Sequence, residues 1–97
     1  MPKVIINLVG TLRLIFGRPA IEVNTDREMT FRDLLQIVSA ETGKDFFSYL
    51  CDPETEKILP NIVIFVDHEN LLHLKGFDTP LADGNQITIM RADMAGG

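Results

Sequence analysis

The stretch Thr30-Phe31-Arg32-Asp33-Leu34-Leu35-Gln36-Ile37-Val38 decides the fold. Phe31, Leu34, Leu35 and Val38 fall at i, i+3, i+4 and i+7, the spacing of one apolar helix face. Thr30 is a good N-cap, because its side-chain oxygen can accept from a backbone N–H that the first helical turn leaves unpaired. Asp33, three residues on, resembles the acidic half of a capping box. Gly43 follows the last turn and can take the left-handed conformation that ends a helix. The pattern predicts one amphipathic helix from Phe31 to just before Gly43.

What flanks this helix is extended. Lys3 to Val9 is nearly all apolar and β-branched, which suits a strand inside a sheet, with Val4, Ile6 and Leu8 on the core parity. Gly10 and Gly17 bracket a connection holding Thr11, Leu12 and Arg13. After Arg18-Pro19, Ala20 to Thr25 reads as a second strand with Ile21 and Val23 inward, and the short gap predicts an antiparallel hairpin. Asp26 to Met29 reads as a polar loop. Beyond the helix, Phe46, Phe47, Tyr49 and Leu50 form a short helical turn over the end of the core. Asp52-Pro53-Glu54-Thr55 and Leu59-Pro60-Asn61 are breaks. Ile62 to Val66 is apolar at five consecutive positions and reads as a central strand contacted on both faces. Asp67 to Asn70 turns the chain back, Leu81-Ala82-Asp83-Gly84-Asn85 turns it again, and Gln86 to Met90 alternates with Ile87 and Ile89 inward. One main helix on a mixed sheet of four or five strands is an α+β arrangement. A helix crossing between a first hairpin and later strands makes the expected topology a β-grasp. Residues 1–92 form the domain, and residues 93–97 form a flexible tail ending in Gly-Gly.

Charge and cysteine usage narrow the function. Nine Lys and Arg against 14 Asp and Glu leave a net charge of −5. An acidic domain lacks the basic footprint of a nucleic-acid binder and is repelled by anionic membrane surfaces. No apolar stretch approaches the ~20 residues that span a bilayer, and no signal-peptide pattern opens the chain, so a soluble cytoplasmic protein is expected. Cys51 is a single cysteine, which can close no internal disulfide and build no four-cysteine metal site. It reads as a half-buried apolar residue. His68 and His73 lack a companion at ligand spacing and read as loop histidines, and Glu54 and Glu56 read as a solvated loop edge. With no glycine-rich phosphate loop either, a self-contained active site is not expected, and neither is a bound cofactor or metal.

The C-terminus stands apart. Gly96-Gly97 follows a sheet strand and places a free carboxylate on a tail without side chains. Such a tail can thread a narrow channel and bring its carboxylate close to ATP.

Three segments together resemble a known family: Thr11-Leu12-Arg13 followed by Gly17, then Phe65-Val66-Asp67 with Leu81-Ala82-Asp83-Gly84-Asn85-Gln86-Ile87, then Ala95-Gly96-Gly97. The whole chain resembles the small subunit of molybdopterin synthase (the MoaD family), within the MoaD/ThiS sulfur carriers of ubiquitin-like fold. It departs from that family at Asn85 and Gln86, where acidic residues are usual. It departs again at Asp67, where asparagine is common, and at Arg91-Ala92-Asp93-Met94, where prolines usually precede the tail. The resemblance implies a sulfur carrier whose Gly97 carboxylate is adenylated by a ubiquitin-activating-type adenylyltransferase that uses ATP. Sulfur then displaces AMP to leave a C-terminal thiocarboxylate, and the tail enters the large subunit of molybdopterin synthase to supply the dithiolene sulfur. Gly96 and Gly97 would carry the chemistry as a cosubstrate.

Partner contact has its own signal. A single helix covers one face of the sheet, whereas Ile62 to Val66 is apolar on both parities and Met90 lies opposite Ile87 and Ile89. Phe65 or Val63 with Met90 therefore forms an apolar patch on the other face, the usual mark of a protein interface. Arg13, Phe65, Met90 and Met94 are the partner-binding candidates. The alternatives are a ubiquitin-like modifier joined to lysines through Gly97 and a plain β-grasp interaction module.

Overall fold

The computed structural model describes residues 3–25, 28–52, 54–55 and 57–91. Its strands are β1 (Lys3–Val9), β2 (Ala20–Asn24), β3 (Met29–Thr30), β4 (Ile62–Val66), β5 (Glu69–Asn70), β6 (Pro80–Leu81) and β7 (Gln86–Arg91). Its α-helices are α1 (Thr11–Phe16), α2 (Phe31–Thr42) and α3 (Phe46–Leu50), with 3₁₀ turns at Leu71–His73 and Gly76–Asp78. Five strands form one mixed sheet in the order β2-β1-β7-β4-β5. β1 runs antiparallel to β2 and parallel to β7, and β4 runs antiparallel to β7. With α2 crossing between the first hairpin and the later strands, this is the ubiquitin-like β-grasp expected from the order of elements.

Alternation along the strands puts the core on one face. Val4, Ile6, Leu8, Ile21, Val23, Ile62, Ile64, Ile87 and Ile89 are all buried, and they meet Phe31, Leu34, Leu35 and Val38 of α2. The helix forms as its spacing dictates. Thr30 Oγ1 accepts from Asp33 N at 3.2 Å, Asp33 Oδ2 accepts from Thr30 N at 3.0 Å, and Gly43 closes the other end at φ 74°. Each fully buried Leu side chain in that interface stabilises the fold by about 1.5–3 kcal/mol relative to exposure.

Three regions differ from the sequence reading. The Gly10–Gly17 connection is not a plain hairpin loop but the one-and-a-half-turn helix α1, which buries Leu12 and Phe16. Phe16 stacks on Phe46 of α3 with ring centroids 4.0 Å apart, so tertiary packing holds a helix too short to stand alone. The second difference is a two-stranded sheet that pairs β3 with β6, joining the start of α2 to the segment before the last turn. It takes Met29 from the end of the polar loop and Leu81 from the turn, both buried. Third, β4 is not equally enclosed on both faces: Ile62, Ile64 and Val66 are buried, while Val63 and Phe65 are half-buried.

Candidate functional site

The face of the sheet opposite α2 carries Ile5, Asn7 and Val9 of β1, Gln86, Thr88 and Met90 of β7, and Val63 and Phe65 of β4. Register fixes their neighbours. Val9 lies beside Met90, and Met90 beside Val63, making an apolar row across three strands. The next row along is Ala20, Asn7, Thr88 and Phe65, and beyond it come Glu22, Ile5 and Gln86. Polarity therefore rises along the face. Asn7 Nδ2 donates to Gln86 Oε1 at 3.0 Å in the polar part, whereas Val9 is 42% exposed in the apolar part. Met90, Val63 and Phe65 are half-buried.

The apolar row sits at a particular end of the sheet. β1 and β7 are parallel, so Val9 and Met90 finish side by side, and Arg91 pairs with Ile62 at the last step of β7. The six residues that follow Arg91 in the sequence end in Gly96-Gly97. One residue beyond Val9, Gly10 opens α1 at φ 69°. α1 is anchored by its buried side and exposes Arg13 and Leu14, the latter 81% accessible. Arg13 and Leu14 line a shallow cleft with Gly17, Arg18 and Pro19. Parallel pairing of the first and last strands thus collects the apolar row, α1 and the exit of the chain at one edge of the molecule.

The sequence-derived candidates divide accordingly. Phe65 and Met90 share the open face, on adjacent strands and consecutive rows, and Arg13 lies at the same end on α1. Met94, Gly96 and Gly97 fall outside the described residues. Val9 and Leu14 are exposed apolar residues at the same end that the sequence reading passed over. Val9 ends a strand on the parity opposite Leu8, and that signal was available.

The residues read as loop or packing groups fall as follows. Cys51 is fully buried rather than half-buried, because it closes α3 against the core, and its thiol donates to the Phe47 carbonyl at 3.2 Å. His68 lies in the turn after β4 and His73 on the first 3₁₀ turn, both exposed, while Glu54 is exposed and Glu56 lies outside the described residues. Among the described residues no group of three or more His, Cys, Asp and Glu side chains could hold a metal ion. No described helix is long and apolar enough to cross a membrane.

No protein-family model matches the chain, and no curated protein matches it either. Solved structures do. CysO of Amycolatopsis orientalis, in a BexX/CysO complex, superposes with a TM-score of 0.76 at 21% identity, over 93% of this chain and 96% of that one. A Pyrococcus furiosus protein assigned as molybdopterin converting factor subunit 1 gives 0.69 at 16% identity, over 96% and 100%. Small archaeal modifier protein 1 of Methanosarcina acetivorans gives 0.71 at 21% identity, over 94% and 93%. The match spans nearly the full length of each protein, so the chain has the ubiquitin-like β-grasp fold that these proteins share.

Proposed function

We propose that this protein is a sulfur carrier that acts as the small subunit of molybdopterin synthase. The observation that carries the reading is the convergence at one end of the sheet: the central strand β7 runs out beside an apolar row and an exposed arginine, and Gly96-Gly97 follow in the sequence. A partner adenylyltransferase, and after it the large synthase subunit, docks on that row through Val9, Val63, Phe65 and Met90, with Arg13 at its border. The Gly97 carboxylate attacks the α-phosphate of ATP bound by the partner, expelling pyrophosphate and forming an acyl-adenylate. A sulfur nucleophile brought by the partner displaces AMP and leaves the thiocarboxylate. The charged tail then enters the large synthase subunit, where the thiocarboxylate sulfur is transferred to the pterin and the carboxylate is regenerated. This chain supplies the acyl group and the docking surface, and its partners supply ATP binding and catalysis.

ATP–pyrophosphate exchange tests the first step. Exchange is expected to require the cognate adenylyltransferase, this protein and an intact Gly97. Intact mass of the protein from its native host is expected to show one oxygen replaced by sulfur. Exchange undiminished after removal of Gly97 overturns the reading. Lysine-linked conjugates with no free thiocarboxylate would make the protein a modifier instead.

A further inference from the structure

The β2 edge of the sheet has a second feature that the tail chemistry does not use. Leu8 N donates to the Pro19 carbonyl at 2.9 Å, one step beyond the Asn7–Ala20 pair of the β1–β2 ladder. Hydrogen-bonded and non-bonded pairs alternate in an antiparallel ladder. The exchanging pairs are therefore Ile6–Ile21 and Val4–Val23, which turns the N–H and C=O groups of Ala20, Glu22 and Asn24 away from β1. β2 is the outer strand on this side, so among the described residues no strand pairs with that edge. Natural sheets blunt such edges with proline, lysine or a bulge. Between Ala20 and Asn24 this edge has no proline, lysine or bulge, and Glu22 is its one charged residue.

A groove of about 550 Å³ adjoins the end of the edge. Thr25, Glu28 and Met29 form one side, and Asp33, Gln36, Ile37 and Ala40, a single flank of α2, form the other. Met29 is buried and Ile37 packs partly against the core, giving the groove an apolar floor. Its rim is acidic through Glu28 and Asp33. Glu22 of β2 faces the other side of the sheet, where Lys3 Nζ approaches it at 3.5 Å.

We propose that the β2 edge and this groove bind an extended, basic segment of a partner protein by strand addition. The backbone of the segment pairs with Ala20, Glu22 and Asn24. Its side chains of one parity reach the Met29–Ile37 floor, and flanking Lys or Arg residues meet Glu28 and Asp33. Main-chain pairing supplies the affinity in this mode, while the groove and the rim charges select the sequence. The site is independent of Gly97, so a carrier docked through its open face still presents it.

The test uses the full chain, isotopically labelled, titrated with the synthetic peptide Arg-Val-Thr-Val-Thr-Val-Lys and followed by NMR. Expected are shifts and slowed exchange at the Ala20, Glu22 and Asn24 amides, together with shifts at Met29 and Ile37. Glu22→Pro removes an outward N–H and no ladder hydrogen bond, a position where an edge strand accepts proline. Ile37→Lys places a like charge over the groove and leaves the edge intact. Each is expected to weaken binding by roughly tenfold or more, and Ile37→Lys keeps the test valid should Glu22→Pro misfold. A peptide with Glu in place of Arg and Lys is expected not to bind. Equal binding of the acidic peptide, shifts confined to Met90 and Phe65, or unchanged exchange along β2 would each overturn the proposal. So would pairing of β2 edges between two copies, seen as concentration-dependent sedimentation without peptide.

Discussion

Asp67 shows how single residues hold the end of the sheet away from the tail. Its φ is 56°, in the left-handed region where a Cβ is disfavoured and where Asp and Asn are the best-tolerated non-glycine residues. The side chain uses that backbone. Oδ1 accepts from Gln86 N at 3.0 Å, Oδ2 accepts from Asn85 Nδ2 at 2.8 Å, and Asp67 N donates to the Gln86 carbonyl at 2.7 Å. Asn85 Oδ1 in turn accepts from Ala82 N. Two of the positions that depart from the MoaD pattern, Asp67 and Asn85, are thus partners of one another, an acceptor facing a donor. An asparagine at 67 would aim its amide at the Asn85 amide unless one of them turned and lost its other bond. Asp67→Asn is therefore expected to destabilise by about 0.5–1.5 kcal/mol, one net hydrogen bond. Asp67→Gly loses both side-chain bonds but keeps the backbone at ease. Asp67→Ala loses the bonds and strains φ, so it is expected to be less stable than Asp67→Gly by about 1 kcal/mol. Urea midpoints of the three variants check this order, and equal midpoints for Ala and Gly would remove the backbone contribution.

At the scale of elements, the sequence yielded what periodicity can encode and missed what only packing creates. The apolar face and capping box of α2, the parity of β1, β2 and β7, and the order of elements were all readable because each is a local pattern. α1 was not read, since six residues between two glycines also suit a hairpin connection. Leu12 and Phe16, four apart, were its signal, and what makes it a helix is the stack of Phe16 on Phe46, thirty residues downstream. β3 and β6 were missed for the same reason: two residues each carry no period, and Leu81 is an unremarkable turn residue until Met29 lies opposite it. This gives α1 a direct test. Leu12→Ala is expected to cost about 2–5 kcal/mol, like other large-to-small changes in a core. Leu14→Ala, two residues away and 81% exposed, is expected to stay within about 0.5 kcal/mol of the parent. Similar losses for both would mean that α1 does not pack through one side.

At the scale of the whole molecule, the proposed function lies on a different face and end of the β-grasp from the core that stabilises it. The core lies between α2 and one face of the sheet, and the apolar row lies on the other face, where Val9, Met90 and Val63 meet across strands. A change on the open face or in the tail is therefore expected to alter binding or activation while the core holds. Removing Gly96 and Gly97 is expected to abolish adenylation and shift stability by less than about 0.5 kcal/mol, the range of surface changes. Leu34→Ala, at a fully buried position of α2, is expected to cost about 2–5 kcal/mol. Met90→Lys examines the division where it is finest, because Ile89 beside it is fully buried and Met90 itself is half-buried on the opposite parity. Lysine can extend its stem over Val9 and Val63 and keep its ammonium in water, so circular dichroism of the variant is expected to match the parent. On the proposed function, binding to the large synthase subunit would then desolvate that ammonium at the centre of the apolar row. The expected loss is about 1–2 kcal/mol, roughly a tenfold rise in Kd by calorimetric titration. An unchanged Kd removes Met90 from the interface, and a folded variant that loses partner binding while Leu34→Ala retains it at reduced stability places recognition on the open face.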